Sequence, residues 1–393
     1  MSESLLFGMV LTAIAVGYVL GRWDRKKRQQ RVKDRLSKEY FIGLNYLLNE
    51  QTDEAIDIFI KALEINPDSH EAFETCIALG RLFCRRGEVQ RAIQIHQSLL
   101  ARPSLNRKQS LQVQLELARD YLSAGVLDRA ESLFLEVVKS GHDLKYTALQ
   151  ALVEIYQQEK EWEEAINIAD QLVSYDGQRY ITLLAHFCCE QAELCIRRQD
   201  YSAAKQAIKR AMKYDKCCAR AYLILGRLEF EQENYKEAIK VLQQIFHQDP
   251  DFISESVPLL IECDQKAKTL FGINGYLSKC LKEYPSISVV LALAQTIREK
   301  EGDKAAGKFI AEQLVQRPSL RGLNALIDLH IANTEGKAKK NLGLLRELTE
   351  RLVENKPIYR CHHCGFAGKE LHWLCPSCHQ WGKVKPIRGI EGQ

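Results

Sequence analysis

The chain has 393 residues, 46% of them hydrophobic, which is enough for more than one packed core and too apolar for a disordered polymer. Its net charge of +4 arises in one stretch: residues 22–39 carry nine Lys or Arg against three Asp or Glu, a local +6 that leaves the remainder at −2. Basicity this confined excludes a nucleic-acid binder with a broad positive face.

The first predicted element is 4–21, SLLFGMVLTAIAVGYVLG, eighteen residues without a charge. As a helix it would measure roughly 27 Å, close to a bilayer's hydrocarbon core, so residues 1–21 are expected to form a single transmembrane anchor. Glu3 precedes it and Arg22, Arg25, Lys26, Lys27 and Arg28 follow, the reverse of a cleavable signal. Positive residues stay on the cytoplasmic side, which places the C-terminal bulk in the cytoplasm. Ala13, Gly17 and Gly21 recur every four residues, so one face of the anchor is open to close approach by a second membrane helix. The basic linker 22–35 is expected to meet anionic phospholipid headgroups, with ~1 kcal/mol per charge near the surface.

From 36 to 355 the pattern is helical and repetitive. Residues 36–69 read as one helix-turn-helix unit, with Gly43 and Tyr46 in the first helix, Ala55, Phe59 and Ala62 in the second, and Asn66-Pro67 at the end. The same offsets return at Gly80, Phe83 and Ala92, at Ala118, Tyr121, Ala130 and Phe134, at Tyr156 and Ala165, at Ala192, Ala204 and Ala211, and at Gly226, Ala238 and Pro250. This is the tetratricopeptide pattern, in which small residues sit where paired helices cross. Turns are marked by Arg86-Gly87-Glu88, Ala124-Gly125-Val126, Gln199-Asp200-Tyr201 and Glu233-Asn234-Tyr235. Degenerate pairs are expected over 253–355, broken at Pro258, Pro285 and Pro318. The fold class that follows is an all-α solenoid whose first helices line a concave face suited to peptides or proteins. On those helices Arg81, Arg119 and Arg227 share one position, with Arg85 a turn beyond Arg81. Arg81 and Arg119 are placed to hold a carboxylate or an acidic segment jointly; the alternative is solvated surface charge.

Catalytic signatures are absent: the sequence has no HExxH, GxSxG or strand-borne GxGxxG, so an enzyme is not expected. The run Gly302-Asp-Lys-Ala-Ala-Gly307-Lys308 imitates a phosphate loop, but Phe309 stands where a magnesium-binding hydroxyl would be needed. It reads as a turn followed by a helix. Of thirteen cysteines, nine have no regular spacing and suit a reducing compartment, where cysteine acts as a small apolar residue. The adjacent pairs Cys188/Cys189 and Cys217/Cys218 point in different directions on a helix and are not expected to be redox pairs.

The last module, 356–393, contains Cys361-x2-Cys364, ten residues, then Cys375-x2-Cys378. Two short turns of this spacing clamp one tetrahedral ion, with backbone amides pointing at the sulfurs. Zinc and iron both suit four thiolates. Cys-x-x-Cys-Gly and Cys-Pro-x-Cys resemble rubredoxin and zinc-ribbon knuckles, apart from His379 where a second glycine is expected. Phe366, Trp373 and Trp381 are expected to form this module's own small core, separate from that of the array. A structural or docking role is favoured over electron transfer.

Anchor, basic linker, repeat array and four-cysteine knuckle together resemble the lipopolysaccharide assembly protein B family. The most telling stretches are RLSKEYFIGLNYLLNEQTDEAIDIF (35–59), RGEVQRAIQIHQ (86–97), AHFCCEQA (185–192), and YRCHHCGF with LHWLCPSCHQWGKVKPIRG (359–389). The resemblance implies an adaptor in the bacterial inner membrane. Such a protein brings the lipid A-committing deacetylase to a membrane AAA+ zinc protease, under restraint by an inner-membrane regulator that contacts the anchor. The alternatives are a passive scaffold for lipopolysaccharide enzymes and a rubredoxin-type electron carrier; homo-oligomerisation is left open.

Overall fold

A computed structural model describes residues 22–23, 41–59 apart from 44, 47–48, 50 and 52–53, and 70–393 apart from 104, 141–142, 268–272, 355, 391 and 393. The apolar segment 4–21, with Ala13, Gly17 and Gly21, and the linker residues 24–35 lie outside the described residues. Among the described residues no helix is long and apolar enough to cross a membrane.

The chain divides into two units, Met1–Glu159 and Lys160–Gln393. In the first, His70–Arg85 packs on Val89–Leu100 and Arg107–Ser123 on Leu127–Lys139, and Lys145–Glu159 follows. In the second, Trp162–Leu172 packs on Gly177–Arg197, which packs in turn on Tyr201–Tyr214, and Ala219–Glu231 packs on Tyr235–Gln243. Ile253–Ala267 and Asn274–Glu283 come next. Two further pairs close the array, Ile287–Glu301 with Asp303–Gln316 and Leu320–Ala332 with Gly336–Glu354.

One packing rule sets these pairs. A residue in the first helix meets the residue sixteen positions later in the second. A Cβ on Gly43 would lie 2.4 Å from the Phe59 ring, one on Gly80 2.4 Å from His96, and one on Gly226 2.5 Å from Leu242. The same offset separates Ala118 from Phe134 and Ala192 from Ile208 on packed helix pairs, and all four are fully buried. The turns share a second rule. Gly87, Gly125, Gln199 and Glu233 all take left-handed backbone, φ 83°, 73°, 61° and 61°. In each, the next amide reaches back five residues to a helix carbonyl, as in Glu88 to Phe83 (2.8 Å), Val126 to Tyr121 (2.9 Å), Asp200 to Cys195 (2.9 Å) and Asn234 to Glu229 (2.8 Å). That bond satisfies a carbonyl the helix end leaves over.

Pro285 and Pro318 fall between helices, and Gly302 (φ 88°) separates Ile287–Glu301 from Asp303–Gln316, as the sequence implies. Pro258 does not break a helix: it lies inside Ile253–Ala267. Burial of Ile253, Val257, Leu260 and Cys263 on that helix outweighs the lost backbone bond.

The C-terminal ribbon is a three-stranded antiparallel sheet, β1 Tyr359–Cys361, β2 Ala367–Gly368 and β3 Val384–Pro386, in the order β2-β1-β3. Tyr359 stands opposite Gly368 on one side and Pro386 on the other. Its core is not separate from the array. Leu371 and Trp373 pack against the cluster of Leu242, Phe246, Phe252, Val257, Leu277 and Val289.

Replacing Gln199 with Gly should raise unfolding stability by about 1 kcal/mol by relieving left-handed strain. Gly226→Val should lower it by roughly 1–3 kcal/mol, because Leu242 must move. Chemical denaturation of the two variants checks both signs.

Candidate metal centre and arginine cluster

Two knuckles of the same build carry the four sulfurs. The Cys361 amide donates to the Phe366 carbonyl (2.7 Å) and the Cys375 amide to that of Gln380 (3.1 Å). The Gly365 amide returns to the Cys361 carbonyl (3.0 Å), and the His379 amide to that of Cys375 (2.9 Å). Each loop then needs left-handed backbone after its second cysteine, and Gly365 (φ 80°) and His379 (φ 52°) supply it. The histidine departure is therefore one of side chain and not of backbone. The amides of Phe366 and Gln380 hydrogen-bond the sulfurs of Cys364 and Cys378.

Cys361 and Cys378 Sγ are 3.8 Å apart, Cys364 and Cys375 Sγ 3.7 Å, and all four lie within 4.8 Å of one another. Four sulfurs bound tetrahedrally at ~2.3 Å from one ion stand ~3.8 Å apart. The spacing fits one ion, and Cys361, Cys364, Cys375 and Cys378 form a tetrahedral metal site. Without a cation the thiols share their protons unequally. The Phe366 amide leads in pulling Cys364 down to about 6, whereas desolvation pushes Cys378 up to about 12. A bound cation removes that conflict by holding all four as thiolates.

The ribbon sits on the array through aromatic and charged contacts. His186, on Gly177–Arg197, stacks on Trp381 (5.2 Å between centroids) and lies 5.9 Å from Trp373, which also meets Phe252 at 5.0 Å. Trp373 and Trp381 thus face the array and do not fill a private ribbon core; Tyr359, Phe366 and Leu371 pack there around Cys361, Cys375 and Val384. Gly382 is backbone only because His186 is there: a Cβ would stand 2.8 Å from its Nε2. Arg220 is buried beneath both indoles, 5.9 Å from each ring, and binds Glu190 (2.8 Å) and Glu193 (2.9 Å). From the edge strand β3 Lys385 donates to Asp249 (3.1 Å) and Asp251 (2.7 Å), and from the central strand the Tyr359 hydroxyl donates to Glu255 (3.0 Å).

In the first unit Arg81 and Arg119 do hold a carboxylate jointly, and it is the chain's own. Arg81 donates two bonds to Glu116 (2.7 and 2.9 Å) and Arg119 a third (2.8 Å). Glu116 is buried, with both guanidiniums about half exposed. Burial works to raise the Glu116 pKa, but the two arginines outweigh it and hold the group below the usual carboxylate range. Arg85 and Arg227 lie exposed on their helices. Sequence reading did not pick out Glu116, Arg220 or His186. AHFCCEQA marked the His186 region, but its role is visible only once the ribbon is in place. Cys188 and Cys189 are buried, and Cys189 Sγ meets Cys218 Sγ across two helices at 4.0 Å, well beyond a disulfide length of ~2.05 Å.

Residues 359–386 match the rubredoxin metal binding domain, and 40–69, 75–108, 148–179 and 196–256 match the tetratricopeptide repeat. The chain is 37% identical over 389 residues to lipopolysaccharide assembly protein B of Escherichia coli K12, spanning 99% of both chains. It is 35% identical over 393 residues to the Haemophilus influenzae protein of the same name, spanning 98% of this chain and 99% of that one. The chain belongs to the lipopolysaccharide assembly protein B family. Similar solved structures include putative kinesin light chain repeats from Podospora anserina (21% identity, 46% of this chain, 94% of that one, TM-score 0.34). Another is Naa15/Naa10 bound to HypK-THB (11%, 80% of this chain, 46% of that one, TM-score 0.45). The modules matched are tetratricopeptide repeats and a metal-binding ribbon.

Gly382→Ala should lift the ribbon from His186 while leaving all four cysteines. Metal content by elemental analysis should stay at one ion per chain as unfolding stability drops by roughly 1–3 kcal/mol; equal loss of metal would show that the dock and the knuckles are one unit. Glu116→Gln should cost about 1–3 kcal/mol near pH 7. Because the folded pKa is depressed, the wild-type advantage is complete above the unfolded carboxylate value and is lost as pH falls through the folded one. Denaturation curves of the two proteins should therefore begin to converge as pH falls below the unfolded carboxylate value, ~4.3.

Proposed function

We propose that this chain is an inner-membrane adaptor that limits lipopolysaccharide synthesis by delivering the lipid A-committing deacetylase to a membrane AAA+ zinc protease. One observation carries the reading: relatives named lipopolysaccharide assembly protein B align over 99% of their own length, repeats and ribbon included. Tetratricopeptide pairs supply a protein-binding surface and no reaction chemistry. In this reading the half-exposed guanidiniums of Arg81 and Arg119, steadied by Glu116, act with Arg85 and Arg227 on acidic segments of a partner. The metal is a pin: it fixes the two knuckles, and the knuckles fix the ribbon against the array. Segment 4–21 is the single-pass anchor, its Ala13, Gly17 and Gly21 face meets the inner-membrane regulator, and the basic residues after it touch anionic headgroups.

The mechanism is local concentration. Confining array and protease to one bilayer makes their encounter effectively intramolecular, which raises avidity ~100-fold without a new contact. Deletion of residues 1–21 should leave a folded chain that still binds deacetylase but no longer shortens its half-life in cells. Full regulation by the deleted form would rule out membrane confinement. An unchanged deacetylase half-life on loss of the whole gene would leave only a passive scaffold.

A further inference from the structure

Two successive first helices begin alike. Pro285-Ser286 precedes Ile287–Glu301, and Pro318-Ser319 precedes Leu320–Ala332 about one repeat later. Both serines are N-caps: Ser286 Oγ accepts from the Val289 amide and Ser319 Oγ from that of Gly322. The two loops line a cavity of about 390 Å³, and the ribbon's tail completes it with Arg388, Gly389 and Ile390. A bond from the Leu320 amide to the Ile390 carbonyl (3.0 Å) ties that tail to the array. The volume lies at the small end of ligand sites, which run ~300–1,000 Å³. The apolar lining is Ile287, Val290, Leu314 and Ile390. The polar lining is rich in cations and donors. Arg317 and Arg388 line the cavity, and among the described residues no Asp or Glu does. Arg388 is engaged with Asp251, whereas exposed Arg317 has no partner among the described residues. The hydroxyl protons of Ser286 and Ser319 also have no acceptor among them, and Ser319 is only 9% exposed. The positive poles of two helices add to the same sign of field.

We propose that this cavity binds the carboxyl-terminal end of a partner polypeptide, with its last apolar side chain on Ile287, Val290 and Leu314 and its terminal carboxylate held by Arg317 and the two serine hydroxyls. Charge complementarity selects the anion, since an unpaired guanidinium and two unused hydroxyl protons match a carboxylate and no lining acid repels it. Gln313 selects the source of that carboxylate. Its half-buried carboxamide has no partner among the described residues and offers a donor and an acceptor together, the complement of a peptide group. A fatty acid brings the same charge but leaves that amide unmatched. An internal acidic segment spreads its charge along the chain, whereas a chain end presents apolar side chain and carboxylate on one residue, which suits a cavity of this size. The site lies wholly within the second unit. It goes beyond the proposed function, because it requires no particular delivered protein.

Fluorescence anisotropy of the full chain in phosphatidylcholine nanodiscs tests this. The probes are labelled hexapeptides ending in paired valines, leucines or phenylalanines, each as free acid and as carboxamide. At least one acid should bind saturably, and its carboxamide roughly tenfold more weakly. Arg317→Glu should bring the acid down to the level of the carboxamide and leave the carboxamide's own Kd within about twofold, a pattern that a folding defect does not produce. Ile390→Asp, at an exposed position, should abolish binding of the acid with helical circular dichroism unchanged. Absence of saturable binding by every acid overturns the proposal, as do equal affinities for acid and carboxamide or an Arg317→Glu variant that still prefers the acid. If sodium decanoate binds, with the same loss on Arg317→Glu, and no peptide does, the cavity is a fatty-acid site and the proposal falls.

Discussion

A guanidinium out of reach of water constrains how the second unit is assembled. Arg220 has a side chain only 4% exposed, and a cation so placed is tolerated only with close counter-charges. Glu190 and Glu193 supply these from Gly177–Arg197, and the faces of Trp373 and Trp381 close the remaining sides. Arg220 Nε and Nη1 make no hydrogen bond among the described residues, so the indoles are what they have in place of water. Desolvation, with the Arg220 charge adding to it, pushes the neighbouring His186 down to about 3. The imidazole is therefore neutral at any physiological pH and can stack under Trp381 without a second buried charge.

The metal enters this chain of dependence at its far end. Thirty or so residues of ribbon cannot hold a fold on apolar burial alone, so the ion sets the knuckles and the knuckles set the pairing of Leu374 with Trp381. Trp381 and Trp373 then cover Arg220, while Lys385 clamps Asp249 and Asp251 and the Leu320 amide accepts the tail by donating to the Ile390 carbonyl (3.0 Å). A module of this size thus touches helices from Gly177–Arg197 to Leu320–Ala332. It lies as a strut along the second unit.

What was legible in the sequence was whatever repeats locally. The sixteen-residue offset and the left-handed turn depend on neighbouring helices only, so Gly43, Gly80, Gly226 and the turn residues announce them. The cysteine spacing is equally local, because each knuckle closes within six residues. The dock is not local. Trp381 meets His186 across 195 positions of chain, and nothing in the periodicity of either segment records the other. Arg81 and Arg119 were visible as a pair, yet Glu116, three residues before Arg119, reads on a helix as an ordinary surface partner. Pro258 misled for the converse reason: a local rule yielded to tertiary burial.

The two glycine-requiring positions differ in how far they tolerate exchange, and the repeats show why. In the turns a side chain costs about 1 kcal/mol of backbone strain and points to solvent, so Gln199 and Glu233 stand where Gly87 and Gly125 do elsewhere. At the helix crossing a Cβ 2.4 Å from its neighbour cannot be relieved locally, and small residues persist. Varying the large partner has longer reach. With His96 opposite Gly80 where other repeats place Phe59, Phe134 or Leu242, a polar ring is fully buried and needs a partner. Its Nδ1 finds Asp120 at 2.5 Å, in the first helix of the next repeat. Burial drives the Asp120 pKa up even with His96 opposing it, so this pair is held by packing from both repeats and not by charge alone. One exchange at a crossing has thereby fixed a residue in the following pair, which is how a chain of near-identical units acquires a unique order.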